Sequence, residues 1–403
     1  MKVYLGFNGV HQDGMGSAAI TLLHALKRSG VNVQPVHPWK QVLIPEYFQF
    51  NPIFLSESSE ELPLSVSIRE MINIVNDYPE CTVFSHFGSP NWGAIIPYLR
   101  PDIRVVVSVH SVTPSALKIA LANQERTSKF IAVSWEVEQK LKQKLPSCDH
   151  WKISLVPNAI DMDRHPQKRD FSNVGGRVKI IFFGRIEDYT KGVDKIPKIA
   201  KKLKKEGLDF EWDLYGYFHW GYESRFYKQL KNNGVEDVVQ YKGCLTPTEI
   251  PATLTAYDIM VMPSNHEGLP LALIESMATG LTSVASRLHN VTDRIIEDGK
   301  EGFLVGRNDI KGFAKAILTA SASPDLRVRI GKAARAKVSA DFSIDKHGMN
   351  YRHVFEEAMA DRNYVCATNL PSLVKFILPE ALKPHILARI LPNWIKRILK
   401  KLV

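Results

Sequence analysis

The sequence predicts an α/β protein made of two parallel-sheet domains. Three observations carry that reading. Short β-branched or apolar runs alternate with amphipathic helical stretches along most of the chain, helical stretches stop at glycine, and the alternation breaks once, near the middle. A chain of 403 residues with 45% hydrophobic content has the apolar mass for more than one core.

The strand-like runs, in order, are "KVYLGF", "VNVQPV", "CTVFSHF", "IRVVVSVH" and "FIAVS", then "VKIIFFG", "EWDLYGY", "VVQYKG", "DIMVMPS", "TSVAS" and "GFLVG". Between them, "AAITLLHALKRSG" and "KIPKIAKKLKKEG" place apolar residues at helical spacing and end at Gly30 and Gly207, where a helix commonly terminates. Strand, helix and strand in succession imply parallel pairing with helices on both faces. The interruption is "DMDRHPQKRDFSNVGGRV", from Asp161 to Val178. It is polar, carries one proline and two glycines, has no period, and reads as a linker. The expected division is an N-terminal domain over residues 1–165, a second over 175–350, and a C-terminal segment over 351–403 that opens with "YRHVFEEAMA" and ends in a basic tail.

Composition narrows the class. Cys81, Cys148, Cys244 and Cys366 form no pair at metal or redox spacing, and Met1 is followed by a strand pattern rather than a basic, apolar leader. Both features fit a cytoplasmic protein. No run reaches the roughly 18 uninterrupted apolar residues of a membrane span. The net charge is +10, and residues 372–403 hold seven Lys and Arg side chains against one acid, Glu380. No basic stripe with interleaved aromatics occurs in the folded part, so a nucleic-acid partner is not expected. From Ile386 the apolar residues recur at helical spacing, with Trp394 among them and Lys396, Arg397, Lys400 and Lys401 opposite, although Pro392 must bend that helix. The pattern fits either a helix on an anionic membrane surface or one packed back on the protein.

Ligands of open parallel sheets bind beyond the carboxyl ends of the strands, which selects three loops. In "FNGVHQDGMGSAAITLLHAL", Gly14 and Gly16 would let backbone amides approach an anion at a helix start, or simply make a tight turn. In "IIFFGRIEDYTKGVDKI", Arg185 and Lys191 follow a strand end and suit phosphate oxygens, the first as a planar fork and the second as a point charge; the alternative is two solvated cations. The third is "VMPSNHEGLPLALIESMATG". Pro270 fits the first turn of a helix that Gly280 stops, and the N–H groups of Gly268 and Leu269 lie where an anion docks. Glu267, just outside that end, suits a neutral group such as sugar hydroxyls. Glu275 falls among Leu271, Ala272, Leu273, Ile274 and Met277, where an unpaired carboxylate is costly. Two ribose hydroxyls would satisfy it, as would a surface lysine.

In order and spacing, "GRIEDYTKG", "LYGY", "YKGCLTPTEI" and "AYDIMVMPSNHEGLPLALIESMATG" resemble the C-terminal half of retaining GT-B glycosyltransferases, the large family whose signature is two glutamates eight positions apart. "FIAVS" with "LVPNAID" resembles that family's approach to its linker, and "DGMGSAAITLLHAL" its first glycine loop. The resemblance covers roughly residues 1–360. It implies two Rossmann-like domains facing each other across a cleft, and transfer of a hexosyl unit from a nucleotide-diphosphate sugar to a hydroxyl acceptor, with no cofactor or metal. It further implies that Arg185 and Lys191 hold the diphosphate, Glu267 touches the transferred sugar, Glu275 grips the ribose, and the backbone of Gly268, Leu269 and Pro270 lies beside sugar and phosphate. His110 would approach the donor sugar. The base would lie near Gly216 and Gly243, and His11, His86 and Asn91 are candidates for holding a glycan or lipid-linked acceptor, with a structural role the equal alternative for His86. Such an enzyme would work in envelope polysaccharide or glycolipid synthesis, in the cytoplasm or on the inner face of the membrane.

Two departures concern loop geometry. "GLTSVAS" replaces the usual proline and valine after the helix, and Asn290 stands where a glycine is usual; asparagine tolerates the left-handed conformation that glycine would supply. Competing readings are a metal-binding Asp-x-Asp pair at Asp161 and Asp163, a nucleotide-sugar 2-epimerase on the same architecture, and a binding protein with a degenerate cleft.

Overall fold

The computed structural model describes residues 1–7, 14–37, 44–55, 64–166, 177–219 and 221–361. His11 and the 372–403 tail lie outside them. The first sheet contains β1 (Lys2–Gly6), β2 (Asn32–His37), β3 (Ile53–Phe54), β4 (Cys81–His86), β5 (Arg104–Val109), β6 (Lys129–Ala132) and β7 (Ile153–Leu155). The second contains β8 (Val178–Phe183), β9 (Phe210–Tyr215), β10 (Val239–Tyr241), β11 (Ile259–Met262), β12 (Thr282–Ser286) and β13 (Phe303–Val305). Every pairing is parallel. The strand orders are β3-β2-β1-β4-β5-β6-β7 and β10-β9-β8-β11-β12-β13. The order reverses between β1 and β4, and again between β8 and β11, so each sheet has the doubly wound arrangement with its crevice at that point.

All eleven strand-like runs become strands. β3 and β7 are additions at the edges of the first sheet, two and three residues long. Central strands such as β5 bury Val105, Val106, Val107 and Val109, which is why they read as continuous apolar runs. The helices Gly14–Arg28 and Ile196–Lys205 end near Gly30 and Gly207, both left-handed at φ 75° and 76°. Asn290 adopts φ 56°, the conformation expected of it.

The last described helix, Ile344–Ala360, belongs by packing to the first domain, so position 350 falls inside one element. Its Tyr351, Val354 and Phe355 share an apolar cluster with Leu22, Leu23 and Leu26. A Cβ at Gly348 would overlap the Ala25 carbonyl oxygen, so glycine permits the close approach. The chain therefore crosses between domains twice. Arg28 ties both crossings together, with Nη2 3.0 Å from Asp161 and 3.2 Å from Asp163, and Nη1 3.6 Å from Asp345. The Asp-x-Asp pair is thus engaged by an arginine at the crossing, away from any strand end facing the cleft.

Candidate functional site

A cavity of about 480 Å³ lies between the carboxyl ends of the two sheets and draws its walls from both domains. The volume is in the range that encloses a small organic ligand. On the second-domain side it is reached by Arg185 and Lys191 from the loop after β8, Gly216 after β9, Glu267 to Pro270 after β11, and Glu275. On the first-domain side it is reached by Gly14, Phe87 and His110.

Arg185 stands just past β8 and is held rather than loose. Its Nε donates to Glu187 Oε1 at 2.8 Å and its Nη2 to Thr190 Oγ1 at 3.2 Å. The Thr190 hydroxyl also donates to Glu187. Lys191 Nζ donates to both Glu267 oxygens at 2.8 Å, and Ser264 Oγ donates to Glu267 Oε1 at 2.7 Å. A carboxylate whose side chain is only 8% exposed is thereby compensated by a cation reached 76 positions back in sequence. Glu187 and Ser264 orient the proposed phosphate and sugar contacts and were not singled out from sequence. The available signal was proximity: each shares a loop with a residue that was.

The helix after β11 begins at Leu271, one residue later than its proline predicts. Pro270 is the N-cap at φ −77°, ψ 95°, and it offers no side-chain cap. Among the described residues the N–H groups of Leu271 and Ala272 have no partner in the helix, and both residues line the cavity. Open amides at the positive end of a helix dipole are an arrangement that can hold an anion. Glu275 lines the same cavity one turn along. Nothing among the described residues pairs with its carboxylate, and desolvation pushes its pKa up to about 8, with Arg164 opposing the shift weakly.

At the tips of β8 and β9 the backbone is too close for side chains. A Cβ at Gly216 (φ 139°) would strike the Gly184 carbonyl, and Gly216 N–H donates to Gly243 O at 2.8 Å. Gly243 thus shapes the wall without lining it. Across the cleft, His110 follows β5, with its ring 4.3 Å from that of Phe87 and Nε2 without a hydrogen-bond partner among the described residues. Burial, with a smaller effect from nearby His347, lowers its pKa to about 3, so the imidazole is neutral at pH 7. Its carbonyl oxygen faces Gly268, where any Cβ would overlap it. The domains therefore meet backbone to backbone at this point.

Other candidates are placed differently. Gly14 and Gly16 already belong to the helix; Gly14 lines the cavity, whereas Gly16 is buried in the first turn. Neither His86 nor Asn91 lines the cavity. The His86 ring is fully buried, with its pKa lowered by burial to about 3, and Nδ1 accepts the Ser89 N–H at 3.2 Å where the next helix starts. That use is structural.

Comparison with known proteins accords with this geometry. Residues 163–337 match the family model described as glycosyl transferases group 1, and residues 12–164 match that of glycosyltransferase family 4. The amylovoran biosynthesis glycosyltransferase AmsK of Erwinia amylovora is 30% identical over 203 residues, covering 49% of this chain and 48% of AmsK. A UDP-Gal:alpha-D-GlcNAc-diphosphoundecaprenol alpha-1,3-galactosyltransferase of Escherichia coli is 35% identical over 212 residues, covering 49% and 52%. The chain thus spans about half the length of these relatives. HepE of Anabaena, solved with UDP-glucose, superposes with a TM-score of 0.74 over 88% of this chain and 99% of its own at 17% identity, a likeness of fold. With consecutive family models on its two halves and two doubly wound sheets closing on one cleft, this chain belongs to the group 1 glycosyltransferases of GT-B architecture.

Proposed function

We propose that the protein is a retaining glycosyltransferase that moves a hexosyl unit from a nucleotide-diphosphate sugar to a hydroxyl of a glycan or lipid-linked acceptor, in the synthesis of an envelope polysaccharide or glycolipid. The observation that carries this reading is the composition of one cavity: two cations and an open helix N-terminus beside two carboxylates, one of them unpaired and desolvated. Breaking the anomeric bond puts negative charge on the departing diphosphate. Arg185 and the Leu271 and Ala272 amides stabilise it as preorganised donors, and Lys191 adds its charge once the diphosphate draws it from Glu267, so the reading requires no metal. Glu267 takes hydroxyls of the transferred sugar and Glu275 those of the ribose, while neutral His110 approaches the sugar from the first domain. The acceptor attacks the face from which the diphosphate leaves, and its proton passes to the leaving phosphate. The close approach of Gly268 to the His110 carbonyl would help keep water from the reacting centre once the donor fills the cavity.

The relatives supply the setting. One is named for amylovoran biosynthesis, one acts on a diphosphoundecaprenol-linked sugar, and HepE is solved with UDP-glucose. No helix among the described residues is long and apolar enough to cross a membrane. The basic tail is assigned to an anionic bilayer surface on the cytoplasmic side. Incubation with UDP-, GDP- and ADP-linked radiolabelled hexoses, with and without lipid-linked acceptors, tests the reading. Transfer or slow hydrolysis supports it; epimerisation of the donor, or no turnover of any donor, refutes it.

A further inference from the structure

A second groove, of about 530 Å³, opens on the outer side of the same loops, and its walls come from the ends of β8, β11 and β13. Tyr189, His266, Asp188, Arg307 and Asn308 line it, all outside the cavity described above. Tyr189 is 73% exposed, the most exposed large apolar side chain among the described residues, and its ring lies 6.0 Å from that of His266.

The ring is exposed on a fixed base. Asn265 Nδ2 donates to the carbonyls of Asp188 (2.9 Å) and Tyr189 (3.1 Å), while its Oδ1 accepts from buried Lys195 at 2.5 Å. Lys195 Nζ also donates to Pro263 O at 2.7 Å, and the Asn265 and His266 N–H groups both donate to Thr190 O. Gly192, at φ 63°, packs against the Pro263 carbonyl where a Cβ would not fit. The two loops are thus locked together, and the tyrosine is held in water without a core to join. An aromatic face on a rigid support, ringed by planar polar groups, matches a pyranose, which offers C–H groups on its face and hydroxyls at its edge. Asp188 is shared with exposed Arg225 at 2.8 Å, whereas among the described residues Arg307 has no ion-pair partner. The groove is open and polar, unlike a closed apolar pocket for a small molecule, and so suits a chain.

We propose that this groove is a glycan-binding subsite that holds the body of an oligosaccharide whose end reaches the cavity over the rim formed by His266 and Glu267. The proposal rests on the transferase reading above. It is tested by probing an array of defined tri- to hexasaccharides with the wild type, Tyr189→Ala and Arg307→Ala, alongside thermal-shift measurements with UDP, GDP and ADP. The expected result is binding of at least one oligosaccharide class, weakened tenfold or more by Tyr189→Ala, with the nucleotide-induced shift unchanged. If no oligosaccharide binds, or Tyr189→Ala binds as the wild type does, the subsite is refuted. If a glycan binds through Tyr189 but no nucleotide shifts the melting temperature, the subsite stands and the transferase reading falls.

Discussion

Glu275→Gln keeps the shape of the side chain and removes its ionisation. In the folded protein this carboxyl titrates near pH 8 rather than 4.5, because burial opposes its charge. Below pH 4.5 both folded and unfolded chains carry the proton, so the group does not affect stability. Above it the unfolded chain ionises first and binds fewer protons, so stability falls with rising pH until about pH 8, where the folded form ionises too and the loss levels off. Each pH unit is worth about 1.4 kcal/mol, which makes the penalty on the order of 3 kcal/mol at pH 7. Urea unfolding of wild type and variant from pH 4.5 to 9 isolates this term, since the buried histidines cancel in the difference. The variant should gain on the wild type by about that amount between pH 4.5 and 7. Ribose hydroxyls favour the ionised carboxylate, so nucleotide binding should release a proton near pH 7, visible as a buffer-dependent binding heat, and Glu275→Gln should abolish that release. Parallel stability curves for the two proteins, together with no proton release, would refute the argument.

Gly268→Ala places a Cβ against the His110 carbonyl and forces the domains apart there. Transfer should fall by about 10- to 100-fold while nucleotide binding changes little, the readouts being steady-state kinetics and calorimetry. Lys191→Met strands the nearly buried Glu267 and should cost about 3 kcal/mol in urea unfolding, with much of that restored in the Lys191→Met, Glu267→Gln double variant. His347, whose pKa burial lowers to about 4, accepts no proton while the unfolded chain does, so it removes stability as pH falls from 6.5 towards 4. His347→Gln should flatten the acid limb of the stability profile by about 1.4 kcal/mol per pH unit in that window. Truncation after residue 361 should abolish sedimentation with anionic vesicles and leave transfer to a soluble acceptor unchanged.

What the sequence conveyed divides by the range of the interaction. Strands buried on both faces announce themselves as apolar runs, and glycine stops such as Gly30 and Gly207 report a local backbone need, so nearly the whole fold was legible. β3 and β7 were not, since two or three residues at a sheet edge carry no period. Glu275 could be singled out because its cost is set by its own helical neighbours. The partner of Glu267 could not, because the Lys191 ammonium arrives from a loop 76 positions away. Gly268 was read as an anion contact; that it also admits the His110 carbonyl depends on how two domains dock, which no local pattern encodes. His86 stands among the acceptor candidates because it ends a strand, but its ring is buried and its acceptor nitrogen is taken by the Ser89 amide, a partner three residues on that the residue type alone does not reveal.

The pairing of Lys191 with Glu267 bears on how the proposed donor would enter. Arg185 has a dedicated carboxylate in Glu187, which fixes the guanidinium while leaving donors turned to the cavity. Among the described residues Lys191 has no such second partner: two of its three ammonium donors are spent on the residue proposed to hold the sugar. A diphosphate that draws Lys191 towards itself therefore frees Glu267 oxygens for sugar hydroxyls, whereas a ligand lacking phosphate leaves the pair closed. Under the proposed function, phosphate and sugar recognition would become one exchange of partners. A free hexose would then meet a carboxylate already occupied, and the site would discriminate in favour of the intact nucleotide sugar by electrostatics as well as by shape.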